Sequence, residues 1–148
     1  MTVGGATVEA INANGADLDG LGELEVVRLT GENALGCSPE AFTAAGVVEG
    51  GNQLAVVDRG DCARVAKAIY GQQAGAAAVL MVNNTDDLPP YEGMITSNAD
   101  TGEPYLVTIP FLGVRSSNGP LFASGATVTL AAASIANPGF RGYASFTS

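Results

Sequence analysis

The sequence predicts a single domain of the α+β class, and three observations lead to that prediction. The chain has 148 residues, which is enough for one hydrophobic core. Short apolar or alternating runs, typical of β-strands, recur along it between turns rich in glycine and proline. A segment with the 3.6-residue period of a helix lies between two of these runs. We therefore expect a mostly β structure with one long helix and one short helix.

Five segments have the composition of strands: residues 23–29, 54–58, 77–84, 105–114 and 126–134. The first and the last alternate between polar and apolar residues, which is the pattern of a strand buried on one face. The second and third are apolar almost throughout, as strands covered on both faces are. The fourth contains Pro110, which cannot donate a ladder hydrogen bond and therefore marks an edge, a bulge or a break. A short helix is predicted over residues 116–124.

The long helix is predicted to begin at residue 61 or 62 and to end at residue 74. Asp61 is expected to be its N-cap, because a carboxylate there accepts hydrogen bonds from free backbone amides. Gly75 stands where a left-handed C-terminal cap is favoured. The helical period places Lys67 and Gly71 opposite the apolar face of the helix.

The composition argues against several classes of function. The net charge is −9 with a single lysine, which argues against nucleic acid as a partner because phosphate binding needs a basic surface. No apolar run reaches the roughly 18 residues that a membrane helix needs. Histidine is absent, so a Ser-His-Asp triad or a Cys-His pair cannot be assembled within this chain. We expect no catalytic residue, no cofactor, no membrane contact and no targeting segment in this chain.

The two cysteines, Cys37 and Cys62, favour a disulfide formed in an oxidising compartment. Two buried free thiols are the alternative. An even number of cysteines in a lysine-poor chain fits a secreted parent protein, so we expect an extracellular location.

Three short motifs suggest chemistry, but each is better explained as a turn or a loop. Arg59-Gly60-Asp61 matches an integrin-binding tripeptide, yet it lies between a buried strand and a helix. Asp100-Thr101-Gly102 matches the motif of aspartic proteases, whose chemistry needs two carboxylates that share a proton. Asp17 and Asp19 could contribute to a loose calcium site, although the spacing around them does not fit an EF-hand.

The polar cluster after the strand at residues 54–58 is predicted to be structural. Asp58, Arg59 and Asp61 have neither a nucleophile nor a proton relay in this segment of the sequence. Gly60 permits a positive φ, and Arg59 is expected to pair with a neighbouring carboxylate.

Residues 85–104 form a polar stretch that is longer than the usual connection, which suggests recognition or mobility. Its candidate contacts to a substrate or partner are Asp86, Asp87, Tyr91, Glu92 and Met94. The tyrosine would be an aromatic anchor and the methionine an adaptable apolar contact. The three carboxylates are a second possibility for loosely bound calcium.

One segment resembles the core of the protease-associated (PA) domain: GNQLAVVDRGDCARVAKAIYGQQAGAAAVLMVNN, residues 51–84. The matching features, in order, are an apolar strand, Arg59-Gly60, Cys62, Lys67, Ala74-Gly75-Ala76, a second apolar strand and Asn83. It departs from the family at residues 63–65, where an aromatic residue is usual. Residues 36–42 (GCSPEAF) and 109–130 are also similar to the family, so the resemblance extends over residues 35–130.

The resemblance implies a small β-sandwich or open barrel with flanking helices, of the swivelling β/β/α type. PA domains are noncatalytic parts of secreted proteases, sorting receptors and some ubiquitin ligases. The last segment, GFRGYASFTS, is similar to the one that precedes the catalytic serine region of subtilisin-like proteases. The implied organisation has residues 1–34 leading from a catalytic domain, residues 35–134 forming the PA core and residues 135–148 returning to the catalytic domain.

Two functions follow from the resemblance. In the first, the domain is a lid or exosite that selects protein or peptide substrates for a secreted subtilisin-like serine protease, and its partner in cis is the catalytic domain. In the second, it binds a ligand or forms a homodimer without a direct role in proteolysis.

Overall fold

The computed structural model of the protein describes residues 1–130 and 135–136. The strands in these residues are β1 (Thr2–Val3), β2 (Ala6–Thr7), β3 (Ala10–Asn12), β4 (Glu23–Arg28), β5 (Gln53–Asp58), β6 (Ala78–Val82), β7 (Phe111–Val114), β8 (Thr127–Thr129) and β9 (Ile135–Ala136). The helices are α1 (Pro39–Ala45) and α2 (Arg64–Ala74), with 3₁₀ turns at Gly31–Asn33 and Ser116–Leu121.

The described strands form one mixed sheet in the order β2-β1-β8-β4-β5-β6-β7-β3-β9. The four central strands, β4 to β7, are parallel, while β8 and β3 pair antiparallel with β4 and β7 at the two sides. The carboxyl ends of β4 to β7 therefore lie along one edge of the sheet. The predicted α+β class is confirmed, with a curled β architecture and few helices.

Both faces of the sheet are covered, which explains the uninterrupted apolar runs of β5 and β6. Alternate residues of these strands, such as Leu54 and Leu80, face an apolar cluster that also contains Phe122. The residues between them, such as Val57 and Val79, face a second cluster that includes the apolar residues of α1 and α2.

Helix α2 begins at Arg64, later than the sequence predicts, and the prediction that Asp61 is its N-cap is wrong. Asp61 has a φ of +60°, a left-handed conformation that turns the chain away from the helical path. Ala63 occupies the N-cap position and provides no side-chain hydrogen bond. The predicted C-terminal cap is correct, since Gly75 has a φ of +101° and a Cβ there would lie 2.5 Å from the Cα of Glu49.

Lys67 and Gly71 are buried, and the prediction that they lie opposite the buried face of α2 is wrong. A Cβ on Gly71 would lie 2.2 Å from Cγ2 of Val79, so α2 packs directly on β6 at this position. Lys67 is covered by the chain segments around Leu35 and Gly60, which contact its ammonium group. A helix covered on more than one side does not keep the two-sided pattern of a surface helix.

Three other elements differ from the predictions: a strand and a helix are shorter, and one helix is additional. Pro110 breaks the predicted strand at 105–114, and only the four residues that follow it form a strand, β7. The predicted helix at 116–124 is the 3₁₀ turn Ser116–Leu121, which contains Pro120. Helix α1 is absent from the predictions, although Ser38 accepts a hydrogen bond from the amide of Ala41 as its N-cap.

The predicted N-terminal segment, residues 1–34, supplies β1 to β4 to the same sheet, and β4 lies between β8 and β5. The boundaries at residues 34 and 134 stay predictions. The closing segment at 139–148, on which the likeness to subtilisin-like proteases rests, lies outside the described residues. Within the described part of the chain, no helix has the length and hydropathy needed to cross a membrane.

Candidate functional site: the helix–hairpin groove

Polar side chains gather at the carboxyl ends of β4, β5 and β6. Arg28, the last residue of β4, donates from Nη2 to Oδ1 of Asp58 at 3.0 Å and from Nη1 to the carbonyl of Gly119 at 2.8 Å. Arg59 donates from Nη1 to Oδ1 of Asn83 at 2.9 Å. The expected pairing of Arg59 with a carboxylate is therefore wrong, and the amide of Asn83 takes that place. We call Arg28, Asp58, Arg59, Lys67 and Asn83 the turn network.

Asn83 connects the turn network to the long connection that follows β6. Its side chain is buried, and Nδ2 donates to the carbonyl of Asp87 at 2.8 Å. Its Oδ1 also accepts from the amide of Asn84 at 2.9 Å. These bonds fix the first turn of the connection against the end of the sheet.

The predicted disulfide between Cys37 and Cys62 is present, with a Cα–Cα distance of 5.7 Å. Beside it, the buried Lys67 donates from Nζ to the carbonyls of Leu35 at 2.6 Å and Gly60 at 2.9 Å. Burial lowers the pKa of Lys67 to about 8, although the charge of Asp61 opposes the shift. Lys67 and the disulfide therefore join the same two chain segments, one before α1 and one after β5.

The second half of the long connection forms an irregular hairpin over residues 95–107. The amide of Asn98 donates to the carbonyl of Glu103 at 2.8 Å, and the amide of Tyr105 donates to that of Thr96 at 2.9 Å. We call residues 95–107 the hairpin. The polar stretch is thus a loop ordered by its own hydrogen bonds, with one isolated bridge between Ser97 and Pro104.

Three contacts hold the hairpin and the segment before it along α2. At its tip, Oδ2 of Asp100 accepts from the amide of Ala63 at 2.9 Å. Before the hairpin, the carboxylate of Glu92 forms an ion pair with Arg64. After it, Oε1 of Gln72 accepts from the amide of Thr108 at 2.7 Å. Asp100, the aspartate of the motif that resembles aspartic proteases, thus accepts the amide hydrogen bond expected of Asp61.

A groove with a volume of about 230 Å³ runs between α2 and the hairpin. It is lined by Ile69, Tyr70 and Gln73 of the helix and by Asn98, Thr101, Glu103, Pro104 and Tyr105 of the hairpin. Nδ2 of Asn98 donates to the hydroxyl of Tyr70 at 3.1 Å, which leaves the hydroxyl hydrogen of Tyr70 available to an occupant. The two sides of the groove are almost 30 residues apart in the sequence. The only sequence signal for the groove is therefore the aromatic and polar composition of both segments.

The predicted contact residues do not line this groove. The amide of Ser117 donates to the carboxylate of Asp86 at 3.3 Å, and the hydrogen bonds from Ser117 lower the pKa of Asp86. Glu92 is directed to α2, and only 13% of its side chain is exposed. Tyr91 and Met94 are exposed, to 40% and 75%. None of these contacts involves the carboxylate of Asp87, whose backbone carbonyl accepts from Nδ2 of Asn83.

Asp17 and Asp19, the first candidates for a calcium site, form a hydrogen-bonded turn. Oδ1 of Asp17 accepts from the amide of Asp19 at 2.9 Å, which is a turn within the loop. Among residues 1–130 and 135–136, no three His, Cys, Asp or Glu side chains are grouped as metal ligands would be.

The fold and these sequence features define a known class of domain. The family model of the PA domain matches residues 22–121, and the chain belongs to that family. The predicted resemblance is therefore confirmed.

Solved structures with a similar fold are larger peptidases. In the structure of BSAP, a zinc aminopeptidase from Bacillus subtilis, the similar region covers 85% of this chain at 24% identity with a TM-score of 0.59. A medium-resolution structure of the same enzyme matches over 85% of this chain at 25% identity with a TM-score of 0.58. An aminopeptidase from Aneurinibacillus sp. strain AM-1 matches over 73% of this chain and 23% of its own length, at 18% identity and a TM-score of 0.47.

This chain spans 28% of the length of the Bacillus subtilis enzyme. That enzyme is a zinc aminopeptidase, so the likeness to it gives no support to the expected subtilisin-like serine protease parent. A search of curated proteins gave no match.

Proposed function

We propose that the chain is a noncatalytic PA domain of a larger peptidase and that its helix–hairpin groove contacts peptide or protein substrates. The catalytic domain of the parent would be its partner in cis. The likeness to part of a zinc aminopeptidase supports a peptidase parent. The absence of histidine supports a role outside the chemistry, because a proton relay or zinc site of the usual kind needs that residue.

The parent has two candidate classes. A zinc aminopeptidase is favoured by the structure that matches at 25% identity over 85% of this chain. A subtilisin-like serine protease is favoured by the closing segment at residues 139–148. In either case the disulfide supports a secreted protein, because such bonds persist in oxidising compartments.

The groove itself is the observation that carries the proposed substrate contact. Tyr70 and Tyr105 line it with large, amphipathic rings, and tyrosine contributes contact area at a low cost in conformational entropy. Tyr70 can donate a hydrogen bond to a backbone carbonyl of an extended peptide, since its oxygen already accepts from Asn98. A contact remote from the chemistry acts only on substrates that are long enough to reach it.

A titration followed by NMR tests this proposal. The ¹⁵N-labelled chain is titrated with a tryptic digest of casein, and we expect the amide shifts to cluster at Tyr70, Asn98, Thr101 and Tyr105. The variant Tyr105→Leu should reduce these shifts. The control is Tyr91→Leu, because Tyr91 is exposed and does not line the groove, whereas Tyr105 is half-buried and lines it. Absent shifts, or shifts confined to β1 and β2, would contradict the proposal.

Dimerisation is the second candidate function. Met94 and Leu106 expose apolar side chains, to 75% and 55%, on or next to the hairpin. Exposed apolar side chains favour contact with another protein surface when they form a patch. Sedimentation of the chain over a range of concentrations would reveal a dimer, and Met94→Ser should dissociate it if this surface forms the interface.

A further inference from the structure

We propose that the helix–hairpin groove binds the cationic side chain of a lysine or arginine in an extended peptide, with Glu103 as the counter-charge. The inference rests on the proposed substrate contact and deepens it by naming the chemistry of the residue bound. Four features of the groove carry it: a free carboxylate, the position of the basic residues, two aromatic rings and the size of the space.

Of the described residues that line the groove, Glu103 is the one with a charged side chain. Glu103 is exposed, and within the described residues its carboxylate has no hydrogen-bond or ion-pair partner. Its hydrogen bonds are made by the backbone: the amide donates to Oγ1 of Thr101, and the carbonyl accepts from the amide of Asn98. Asp100, also on the hairpin, does not line the groove, and its Oδ2 accepts from the amide of Ala63. An occupant with a positive charge would therefore meet a carboxylate that no internal cation neutralises.

The basic residues of the described chain are all engaged away from the groove. Their partners are Asp58 for Arg28, Asn83 for Arg59, Glu92 for Arg64, Glu9 for Arg115 and two backbone carbonyls for Lys67. Among the described residues, no cation therefore competes for Glu103, and the net charge of −9 attracts a basic segment over longer distances.

The aromatic lining suits the rest of such a side chain. A lysine or arginine keeps its charged end in water while its aliphatic stem lies along an apolar surface. Ile69 and the rings of Tyr70 and Tyr105 provide that surface here. A cation over a tyrosine ring gains a further attraction, which is larger for the planar guanidinium group because it can also stack on the ring.

The size of the groove points to one side chain. Its volume of about 230 Å³ is below the roughly 300–1,000 Å³ of sites that enclose a whole drug-sized ligand. The hydroxyl of Tyr70 can bind the peptide backbone beside the residue that enters. An acidic side chain would instead be repelled by Glu103 and would find no basic partner.

The experiment compares three peptides on the full chain by NMR titration: acetylated and amidated Ala-Lys-Ala, Ala-norleucine-Ala and Ala-Glu-Ala. Norleucine preserves the aliphatic stem and removes the charge. We expect the lysine peptide to bind about five- to tenfold more tightly than the norleucine peptide, the gain of an exposed ion pair with a cation–π contact. The glutamate peptide should bind most weakly.

Glu103→Gln should reduce the preference for lysine over norleucine to within about twofold, since it removes the counter-charge and keeps the shape. The matched control is Glu23→Gln, which changes the net charge equally at an exposed residue outside the groove. It should leave the preference unchanged. Raising the salt from about 0.01 M to about 1 M shortens the Debye length from about 30 Å to about 3 Å and should weaken only the lysine peptide.

The outcomes separate this inference from the proposed function. Equal binding of the lysine and norleucine peptides in the groove overturns the cation preference and leaves the substrate contact standing. A preference that survives Glu103→Gln also overturns the inference. If no peptide shifts the groove residues, both the inference and the proposed function fail.

Discussion

The turn network and the hairpin are both polar regions of the same domain, but they use their polar groups differently. In the turn network, Arg28 and Asp58 bind each other, and the ammonium of Lys67 binds two carbonyls. On the groove side of the hairpin, the carboxylate of Glu103 has no partner within the described residues. Charged groups that are satisfied internally hold the chain together, whereas exposed unsatisfied ones are free to bind a partner.

Mutations can therefore test whether the turn network stabilises the fold and whether the hairpin binds a partner. Changes in the turn network should lower the free energy of unfolding, and changes to the groove side of the hairpin should alter binding with little effect on stability.

The largest effect is expected from the disulfide beside the turn network. The variant Cys37→Ala/Cys62→Ala should lose about 3.5 kcal/mol of unfolding free energy, the entropy expected for a closed loop of 25 residues. Urea denaturation measures this loss, and reduction of the native chain by dithiothreitol should reproduce it. A loss below about 1 kcal/mol would mean that Lys67 alone is enough to join the two segments.

Lys67→Met should cost about 2–3 kcal/mol, because it leaves the carbonyls of Leu35 and Gly60 without a donor in a buried site. The control is Arg115→Met, which removes a cation from a solvent-accessible ion pair with Glu9 and should cost clearly less than Lys67→Met. Equal losses from the two variants would remove the distinction between the turn network and an ordinary charged surface.

The same lysine gives a dependence on pH. Its pKa is lowered by burial from 10.5 to about 8 in the folded chain, so between these values the unfolded chain binds more protons. Stability from this group therefore rises as the pH goes from about 8 to about 10.5, by about 1–2 kcal/mol once solvent screening is allowed for. Denaturation of the native chain and of Lys67→Met at both pH values measures the difference. A difference that falls with pH would contradict the burial of the charge.

Much of the central fold could be predicted because its signals are local. The apolar runs of β5 and β6, the helical period between them and the glycine cap at Gly75 all lie within residues 53–82, and they specify strand, helix and strand in order. The sequence alone does not establish whether Cys37 and Cys62 are bonded, whereas the fold brings them close enough to form a disulfide. Local pattern and fold agree here because the strands are buried on both faces.

The candidate site was not predictable in the same way, because its contacts join distant parts of the chain. Asp100, which accepts from the amide at the start of α2, is 37 residues from its partner Ala63, and no local pattern distinguishes it from Asp61. The helical period places Lys67 opposite the apolar face of its helix, because the period cannot reveal that the segment at Leu35 covers it. The groove requires Tyr70 and Tyr105 to meet, which only the fold determines.

The smallest effects separate the two aspartates at the start of α2. Asp100→Ala removes the acceptor for the amide of Ala63 and should cost about 1 kcal/mol, the usual value of an N-terminal cap. Asp61→Ala should change stability by less than about 0.5 kcal/mol, because its exposed side chain forms no cap.

Asp61→Gly sharpens the same comparison in the opposite direction. A residue with a side chain pays for the left-handed conformation, which Asp61 adopts at a φ of +60°, and glycine does not. The substitution should therefore raise the unfolding free energy by about 0.5–1 kcal/mol. The greater conformational freedom of glycine in the unfolded chain makes this gain smaller. Urea denaturation of the three variants under one set of conditions gives the order Asp61→Gly, Asp61→Ala, Asp100→Ala from most to least stable. If Asp61→Ala were the least stable, Asp61 would be the cap after all, and the hairpin would not be fixed to the helix through Asp100.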